Sequence, residues 1–549
     1  MTRFRSANTS PCVDFYEHVC GSAGDAGPDV AGLRQVAVAV TATIVTHHLA
    51  QTPPRLHQTA SQKASAFLQM CRTRALRHED NLSALRSYVR LNMLFEDVEF
   101  RPLIKIAEQL FVAGLPVFYQ MGVDGTMVWR RRYLLTLDVS AAIKIWSKTQ
   151  KTFAHRTGYT KHVQEVLQDA GVLSDKAEAL AAAVTDLDDV VYAAYKQYLA
   201  NNKNSAKILI VRLEEFAHLV SDDSENKEEW KLFVKKNITE GFPFVPHVFV
   251  AEAAVTFLKH IIDKLDDAEL RTLISWQMIR EVVAASGIVP LVGQYTQWYC
   301  IEMTLRIYGH ALTVPYFRSF VKRKTLRKTG SVYHNIKGHL MRTANTSQWL
   351  RGSSLAVTLG EVQRLKTRAI FPPTLESSDA LNEQYRSYPD VRGPFLSACL
   401  IGLRVNAKSA ISQATALFSD VSANDARKFV AMTVYNRKTN SLFISGSAAS
   451  APALDTEGTE EVNYGFFGRI VTQGILHVLA KFTDEVKNSS KTQEVSKIAV
   501  SDLSDALIRC LAGGVRERSD VSVLLCGHRC FVLNACVQLL QVGALNWVF

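Results

Sequence analysis

The residues from Gln473 to His477 have the spacing at which a helix can hold a metal ion. A helix with the pattern His-Glu-x-x-His places two imidazoles four residues apart on one face, where they bind zinc, and the Glu beside them serves as general base. Here the five residues are Gln473, Gly474, Ile475, Leu476 and His477. One imidazole remains, the other is replaced by a neutral amide, and the base is replaced by glycine. The stretch therefore predicts a zinc-type helix that lacks most of its chemistry.

These replacements remove what hydrolysis needs. A catalytic zinc site uses three protein ligands and an open position for water, and the amide of Gln473 is a weak neutral ligand. Gly474 cannot accept a proton, a role that typically contributes about 10²–10⁴-fold to a rate. Glycine also costs roughly 1 kcal/mol relative to alanine inside a helix, so helix stability gives no reason for it. We therefore interpret His477 as a structural histidine and expect no cofactor.

A second distinctive stretch lies near the start of the chain. Residues 11–21 read PCVDFYEHVCG, and residues 463–468, which lead into the helix described above, read NYGFFG. The first stretch resembles the Pro-Cys-x-Asp-Phe-Tyr-x-x-x-Cys-Gly signature that opens the ectodomain of the neprilysin family of zinc metallopeptidases. On these two motifs the chain resembles a degenerate member of that family over roughly Cys12 to Cys510.

The resemblance implies a mainly α fold with small β hairpins, arranged as a neprilysin-like shell of two lobes. Residues 1–350 would form the helical N-terminal lobe, and residues 351–549 a shortened, thermolysin-like peptidase lobe. The residue pattern independently predicts a hairpin with its turn at Asp124-Gly125, because Asp-Gly between β-rich arms is a strong turn signal. Apolar periodicity predicts helices over 60–71, 87–95, 102–110, 159–170, 174–200, 208–220, 228–238, 251–265 and 268–285, and one from Trp298 to about residue 309.

The resemblance also implies where the rest of the site would lie. The family has an edge strand that hydrogen-bonds the substrate backbone, and Met432, Thr433 and Tyr435 stand at its positions. A methionine has no donor for a peptide carbonyl, so this contact would be lost. The family's third ligand, a Glu in a Glu-Asn-x-x-x-Asp segment, has no counterpart here. Only 39 residues follow Cys510, where the family has a longer tail with a catalytic histidine.

The nine cysteines cluster towards the two ends of the chain. The resemblance implies a disulfide between Cys71 and Cys300, and it leaves the partners of Cys12, Cys20 and Cys510 unassigned. Near the C-terminus, a group of cysteines and a histidine has two interpretations, a structural zinc site or disulfide bonds. Disulfide bonds are favoured if the compartment is oxidising. The residues concerned are Cys526, His528, Cys530 and Cys536.

Charge and short motifs indicate which partners and which compartment to expect. The chain has 549 residues and a formal net charge of +11, which we interpret as a solvated surface charge spread along the chain. Residues 318–329 hold six basic and no acidic residues; a glycan or membrane-surface site is one interpretation and a solvated face the favoured one. No aromatic-interleaved basic pattern indicates nucleic acid. Five Asn-x-Ser/Thr sequons occur, at Asn8, Asn81, Asn237, Asn345 and Asn488.

The sequence begins without an apolar run, so we expect any signal or membrane anchor to be missing from this chain. We expect a secreted glycoprotein, or one on the extracellular face of the plasma membrane. Our preferred hypothesis is a pseudopeptidase that binds or sequesters peptides or proteins. An active zinc endopeptidase, with zinc held by Gln473, His477 and an unidentified acid, is the alternative. A structural or truncated product is the third hypothesis.

Overall fold

The computed structural model describes residues 28–475, apart from residues 416–432 and shorter gaps, the longest of which are 147–152, 241–244, 288–293, 347–355, 371–374 and 437–440. Several predicted site residues lie outside the described part of the chain: Met432, His477, Cys12, Cys20, Cys510 and the cluster from Cys526 to Cys536. In the part that is described, no helix is long and apolar enough to cross a membrane.

The described chain is mostly helical with a few short strands, which confirms the predicted fold class. The helices are α1 Pro28–Leu49, α2 Ala60–Arg72, α3 His78–Leu91, α4 Pro102–Ala107, α5 Arg156–Asp169, α6 Ser174–Asn204, α7 Ala217–Val220, α8 Ser224–Val234, α9 Glu252–Lys264, α10 Asp267–Ser286, α11 Gln294–Phe320, α12 Arg323–Thr346, α13 Ser378–Gln384, α14 Phe395–Thr415 and α15 Glu460–Asn463. The strands are β1 Tyr119–Trp129, β2 Arg132–Val139, β3 Ile208–Arg212, β4 His247–Ala251, β5 Lys366–Ile370, β6 Thr433–Asn436 and β7 Ser441–Ser445.

The chain packs as two compact units that are interleaved in sequence. One unit comprises residues 1–47, 313–380 and 428–549, and the other comprises residues 48–312 and 381–427. The predicted division at residue 350 concerns the family's lobes rather than these packing units, and it stays a prediction. Both the zinc-type helix and the strand expected to contact substrate belong to the first unit.

The second unit contains a four-stranded sheet in the order β1-β2-β4-β3. Two predictions there were wrong. Strand β1 runs through Asp124-Gly125, and its pairing with β2 shifts register after Asp124, so this dipeptide marks an irregularity in the strand rather than the turn. Residues 208–212 form an edge strand paired antiparallel with β4, not the start of a helix. Their β-branched side chains favour a strand, and β4 supplies the backbone hydrogen bonds.

A disulfide bond joins Cys71 in α2 to Cys300 in α11 within the second unit, as the family resemblance implied. Both cysteines are fully buried, and a guanidinium nitrogen of Arg74 donates to the Cys300 sulfur at 3.2 Å. Nearby, Phe67 packs at 4.9 Å between ring centres on Phe395. Because the bond closes a loop across 229 residues, the chain-entropy model gives a stabilisation of roughly 4–5 kcal/mol at its upper end.

The first unit contains a three-stranded sheet in the order β5-β7-β6. Strand β5 runs parallel to β7, and β6 pairs antiparallel with β7 in the register Thr433 to Ile444. A hydrophobic core covers this sheet, and it takes side chains from α12, β7 and the segment after α15: Val332, Tyr333, Ile336, Leu442, Ile444, Phe467, Ile470, Val471 and Ile475. This core fixes the position of the zinc-type helix.

Candidate functional site

The zinc-type helix begins at a buried asparagine. Asn463 ends α15, and its amide nitrogen donates to the carbonyl oxygens of Asp455 at 2.8 Å and Thr459 at 3.1 Å, while its amide oxygen accepts from the backbone N–H of Asp455 at 2.8 Å. The side chain is fully buried. It therefore holds the loop before the helix against the helix start, which explains why an amide stands at the head of the NYGFFG stretch.

A wider helical turn follows and turns the apolar side chains inward. Residues Tyr464–Gly468 form a π-helical turn, and residues 469–475 continue as helix. Phe467, Val471 and Ile475 recur at a spacing of four and are fully buried in the core of the first unit. Since one face of the helix is fixed in this way, Gln473 and Gly474 are held in defined positions next to the sheet.

Gly474 lies in direct contact with strand β6. A β-carbon built on Gly474 would stand 2.1 Å from the hydroxyl oxygen of Thr433, 2.6 Å from its β-carbon and 3.0 Å from a terminal methyl of Leu442. Ordinary carbon contacts need about 3.5–4.0 Å. Only glycine therefore permits the helix and the strand to approach this closely. The sequence alone gave no structural reason for this glycine, and that interpretation was wrong.

Thr433 is committed to this contact. Its hydroxyl donates to the carbonyl oxygen of Ile470 at 3.3 Å, one helical turn before Gly474. The side chain is half-buried between strand and helix. The hydroxyl of Thr433 is thus used to join β6 to the helix, at one of the positions where the family resemblance placed contacts to substrate.

Gln473 and Gly474 do not fit a catalytic zinc site. The half-buried Gln473 offers a neutral amide in place of an imidazole, and the space that a base at position 474 would need is filled by Thr433. Within the part of the chain that the structure describes, no group of three or more His, Cys, Asp and Glu side chains is placed to hold a metal ion. The mechanism of a zinc peptidase cannot be derived from these residues.

Comparison with known proteins identifies the family. Residues 11–372 match the family model described as Peptidase family M13. The chain belongs to peptidase family M13. This confirms the relationship to neprilysin-type zinc metallopeptidases that the PCVDFYEHVCG and NYGFFG stretches predicted. The family is one of zinc metallopeptidases, so the chain is metallopeptidase-like in fold, and its own activity is a separate question. No curated protein sequence matches the chain.

Several solved structures have a similar fold. The zinc metalloprotease ZMP1 of Mycobacterium tuberculosis, in complex with an inhibitor, is 13% identical with a TM-score of 0.59, over 86% of this chain and 73% of ZMP1. PepO from Lactobacillus rhamnosis is 13% identical with a TM-score of 0.59, over 92% of this chain and 82% of PepO. A Haemonchus galactose-containing glycoprotein complex is 13% identical with a TM-score of 0.52, over 85% of this chain and 69% of that chain. At this identity the likeness establishes the fold alone.

A buried polar cluster in the second unit could not be recognised from the sequence. Asp188 accepts hydrogen bonds from the Tyr159 hydroxyl at 2.6 Å and the Trp276 indole at 2.9 Å, and it pairs with Arg280 at 3.3 Å. The Asp188 and Arg280 side chains are only 6% and 3% exposed. Burial, and then the Asp188 carboxylate, raise the pKa of Tyr159, so its hydroxyl stays a donor. A cavity of about 10 Å³ beside Asp188 has room for one water molecule.

This cluster is a structural ion pair, because both oxygens of the buried Asp188 carboxylate accept hydrogen bonds from neighbouring side chains. Its sequence signal is weak. Asp188 stands between the exposed Asp186 and the half-buried Asp189, and an acidic run of this kind is typical of a solvated helix face. Only the packing of α6 distinguishes the buried carboxylate from its neighbours.

Proposed function

We propose that this chain is a family M13 protein that no longer hydrolyses peptides and instead binds peptides or proteins. The observation that carries the proposal is the contact between Gly474 and Thr433. A base at position 474 would have to project from a β-carbon, and that atom would stand 2.1 Å from the Thr433 hydroxyl. A carboxylate there would require the strand to move away from the helix.

The edge position of β6 supports retained binding. Strand β6 pairs with β7 on one side and is the last strand of its sheet in the described structure. An exposed strand edge can add an extended peptide through main-chain hydrogen bonds, which do not depend on side-chain identity. Loss of the family's motif at Met432 would therefore weaken selectivity more than it weakens binding itself.

The disulfide supports a location outside the cytosol. Disulfide bonds persist in oxidising compartments, and the bond between Cys71 and Cys300 is buried in the second unit. Two sequons, at Asn237 and Asn345, present exposed asparagines on which a glycan could be carried. We accordingly propose a secreted protein, or one on the extracellular face of the plasma membrane.

Metal analysis combined with a hydrolysis assay tests the loss of activity. The purified full chain is measured for zinc content and incubated with a fluorogenic peptide library, with a zinc metallopeptidase of the same family as positive control. We expect no stoichiometric zinc and no cleavage, together with saturable binding of some peptides by fluorescence polarisation. Stoichiometric zinc with cleavage that a chelator abolishes would establish the active alternative and end this proposal.

Restoring two residues of the His-Glu-x-x-His motif tests whether Thr433 excludes a base at position 474. Gln473→His changes only a half-buried side chain, so we expect it to fold with little loss of stability. The double variant Gln473→His with Gly474→Glu restores two motif positions but forces a side chain against Thr433. We expect this variant to be strongly destabilised and without activity. A stable double variant that binds zinc would contradict the argument.

A further inference from the structure

Nearly all of the net charge of the chain lies in one stretch. Residues 303–360 contain ten Lys and Arg and no Asp or Glu, while the rest of the chain has 53 basic and 52 acidic residues. The charge of +11 is therefore not spread along the chain, contrary to our interpretation from composition. A concentration of one sign over a short stretch can produce a strong local potential at the surface.

Helix α12 lies in this stretch and carries its cations towards solvent. The helix spans Arg323–Thr346 and has no acidic residue. Its buried side includes Val332, Tyr333 and Ile336, which pack in the core of the first unit. At 100° per residue, Arg323 and Arg327 fall on the opposite side, and both are exposed. We call Lys322, Arg323 and Arg327 the basic face.

Other cations of α12 are already bound within the fold. Lys324 pairs with Glu457, and Lys328 pairs with Glu460. The ammonium of Lys337 donates to the carbonyl oxygens of Gln363 and Leu365, each at 2.8 Å. These three lysines therefore have partners within the fold and contribute to its stability.

The basic face has no such role in folding. Within the described residues, none of Lys322, Arg323 and Arg327 forms an ion pair. Arg323 and Arg327 are like charges four residues apart, which is unfavourable in a helix. Since the fold gains nothing from placing these cations together, their arrangement points to a ligand of opposite charge.

We propose that the basic face binds a linear sulfated polysaccharide. A guanidinium group binds an oxyanion through two parallel hydrogen bonds, and two arginines at i and i+4 have their β-carbons about 5–6 Å apart on one helix face. The disulfide between Cys71 and Cys300 indicates an oxidising compartment, where sulfated glycans rather than nucleic acids are the abundant polyanions. A membrane surface fits less well, because Leu326 is the one large apolar side chain recorded as exposed among the described residues of α12.

Affinity for heparin tests the proposal, with the full chain and a matched control. The variant Arg323→Gln with Arg327→Gln removes two charges from the basic face. The control, Lys235→Gln with Lys236→Gln, removes two exposed charges from the turn Lys235–Thr239 in the other unit. At about 150 mM salt we expect the arginine variant to bind heparin about tenfold more weakly, since charge-assisted hydrogen bonds are lost, and the control to change by less than about twofold.

Three results would overturn the proposal. Equal weakening by both variants would mean that only overall charge matters. No retention of the unaltered chain on heparin would mean that the chain does not bind a sulfated polysaccharide. The third result is that the unaltered chain binds anionic lipid vesicles or DNA but not heparin, and that the arginine variant loses this binding. It would assign the basic face to a different polyanion. Far-ultraviolet circular dichroism and equal melting temperatures establish that both variants fold, so that a loss of binding reports on the face.

Discussion

The substitution Gly474→Ala is the sharpest test of the contact between the zinc-type helix and strand β6. Alanine is the best helix former and gains about 1 kcal/mol over glycine inside a helix. Gly474 is helical and buried, so helix propensity alone predicts a more stable protein. The structure predicts the opposite sign, because the added β-carbon would overlap Thr433.

The magnitude follows from the distances. The added carbon would stand 2.1 Å from the Thr433 hydroxyl oxygen and 2.6 Å from its β-carbon. Rotation of the Thr433 side chain relieves only the first overlap, since the β-carbon is fixed to the strand backbone. Overpacking of this kind costs about 1–3 kcal/mol, and the upper end applies because strand or helix must move. After the gain in helix propensity, we expect a net loss of about 2 kcal/mol.

A double-mutant cycle with Thr433→Gly isolates the contact. In that background the hydroxyl and β-carbon are gone, and the nearest remaining atom is the Leu442 methyl at 3.0 Å, the end of a flexible side chain. Gly474→Ala should then be neutral or stabilising by up to about 1 kcal/mol. The interaction free energy between the two positions should therefore be about 3 kcal/mol, well above the additive limit of about 0.5 kcal/mol.

Thermal unfolding measures the cycle, and Gly465→Ala is the control. A β-carbon at Gly465 would have no neighbour within 4 Å, although the residue lies in the same NYGFFG segment. We expect Gly474→Ala to lower the melting temperature by about 2–4 °C and Gly465→Ala not to lower it. A Gly474→Ala protein as stable as the unaltered chain, or additive effects around the cycle, would refute the claim that β6 fills the position of the base.

Three further predictions concern the second unit. Asp188→Asn should cost about 3–5 kcal/mol in unfolding free energy, because it removes the carboxylate that pairs with the buried Arg280, whereas Asp189→Asn, whose side chain is 46% exposed, should cost less than about 1 kcal/mol; chemical denaturation compares the two. In protein secreted from eukaryotic cells, mass spectrometry should find glycan on the exposed Asn237 and none on Asn81, which is fully buried and bonded to Leu396 and Arg74; a glycan on Asn81 in folded protein would contradict the structure. Cys71→Ala should lower the unfolding free energy, measured by chemical denaturation, by about 2–5 kcal/mol.

The motifs and the helices could be predicted from the sequence because their signals are local. The apolar spacing in α5, α6, α9 and α10 gave those helices within a few residues. The bounds of α11 were harder, since Tyr308 leaves the helical conformation and produces a kink near the predicted end at residue 309. Family membership followed from two short motifs, which the match over residues 11–372 confirms.

Features that depend on distant partners could not be predicted. Asp124-Gly125 has a local turn signal, but pairing with β2 keeps it inside a strand. Residues 208–212 have an apolar pattern that fits a helix or a strand, and only the neighbouring β4 decides between them. The contact of Gly474 with Thr433 joins residues 41 positions apart, so no window of the sequence contains both.

The close contact between helix and strand also bears on how the site could have changed. With Gly474 present, Thr433 can pack against the helix and bond to Ile470, which stabilises the closed arrangement. A return of the base by one substitution would then meet Thr433, and a return of space at position 433 alone would lose its hydrogen bond without restoring chemistry. Each single step back is destabilising, and only a change at both positions removes the overlap. The packing between Gly474 and Thr433 therefore opposes the introduction of a base at position 474.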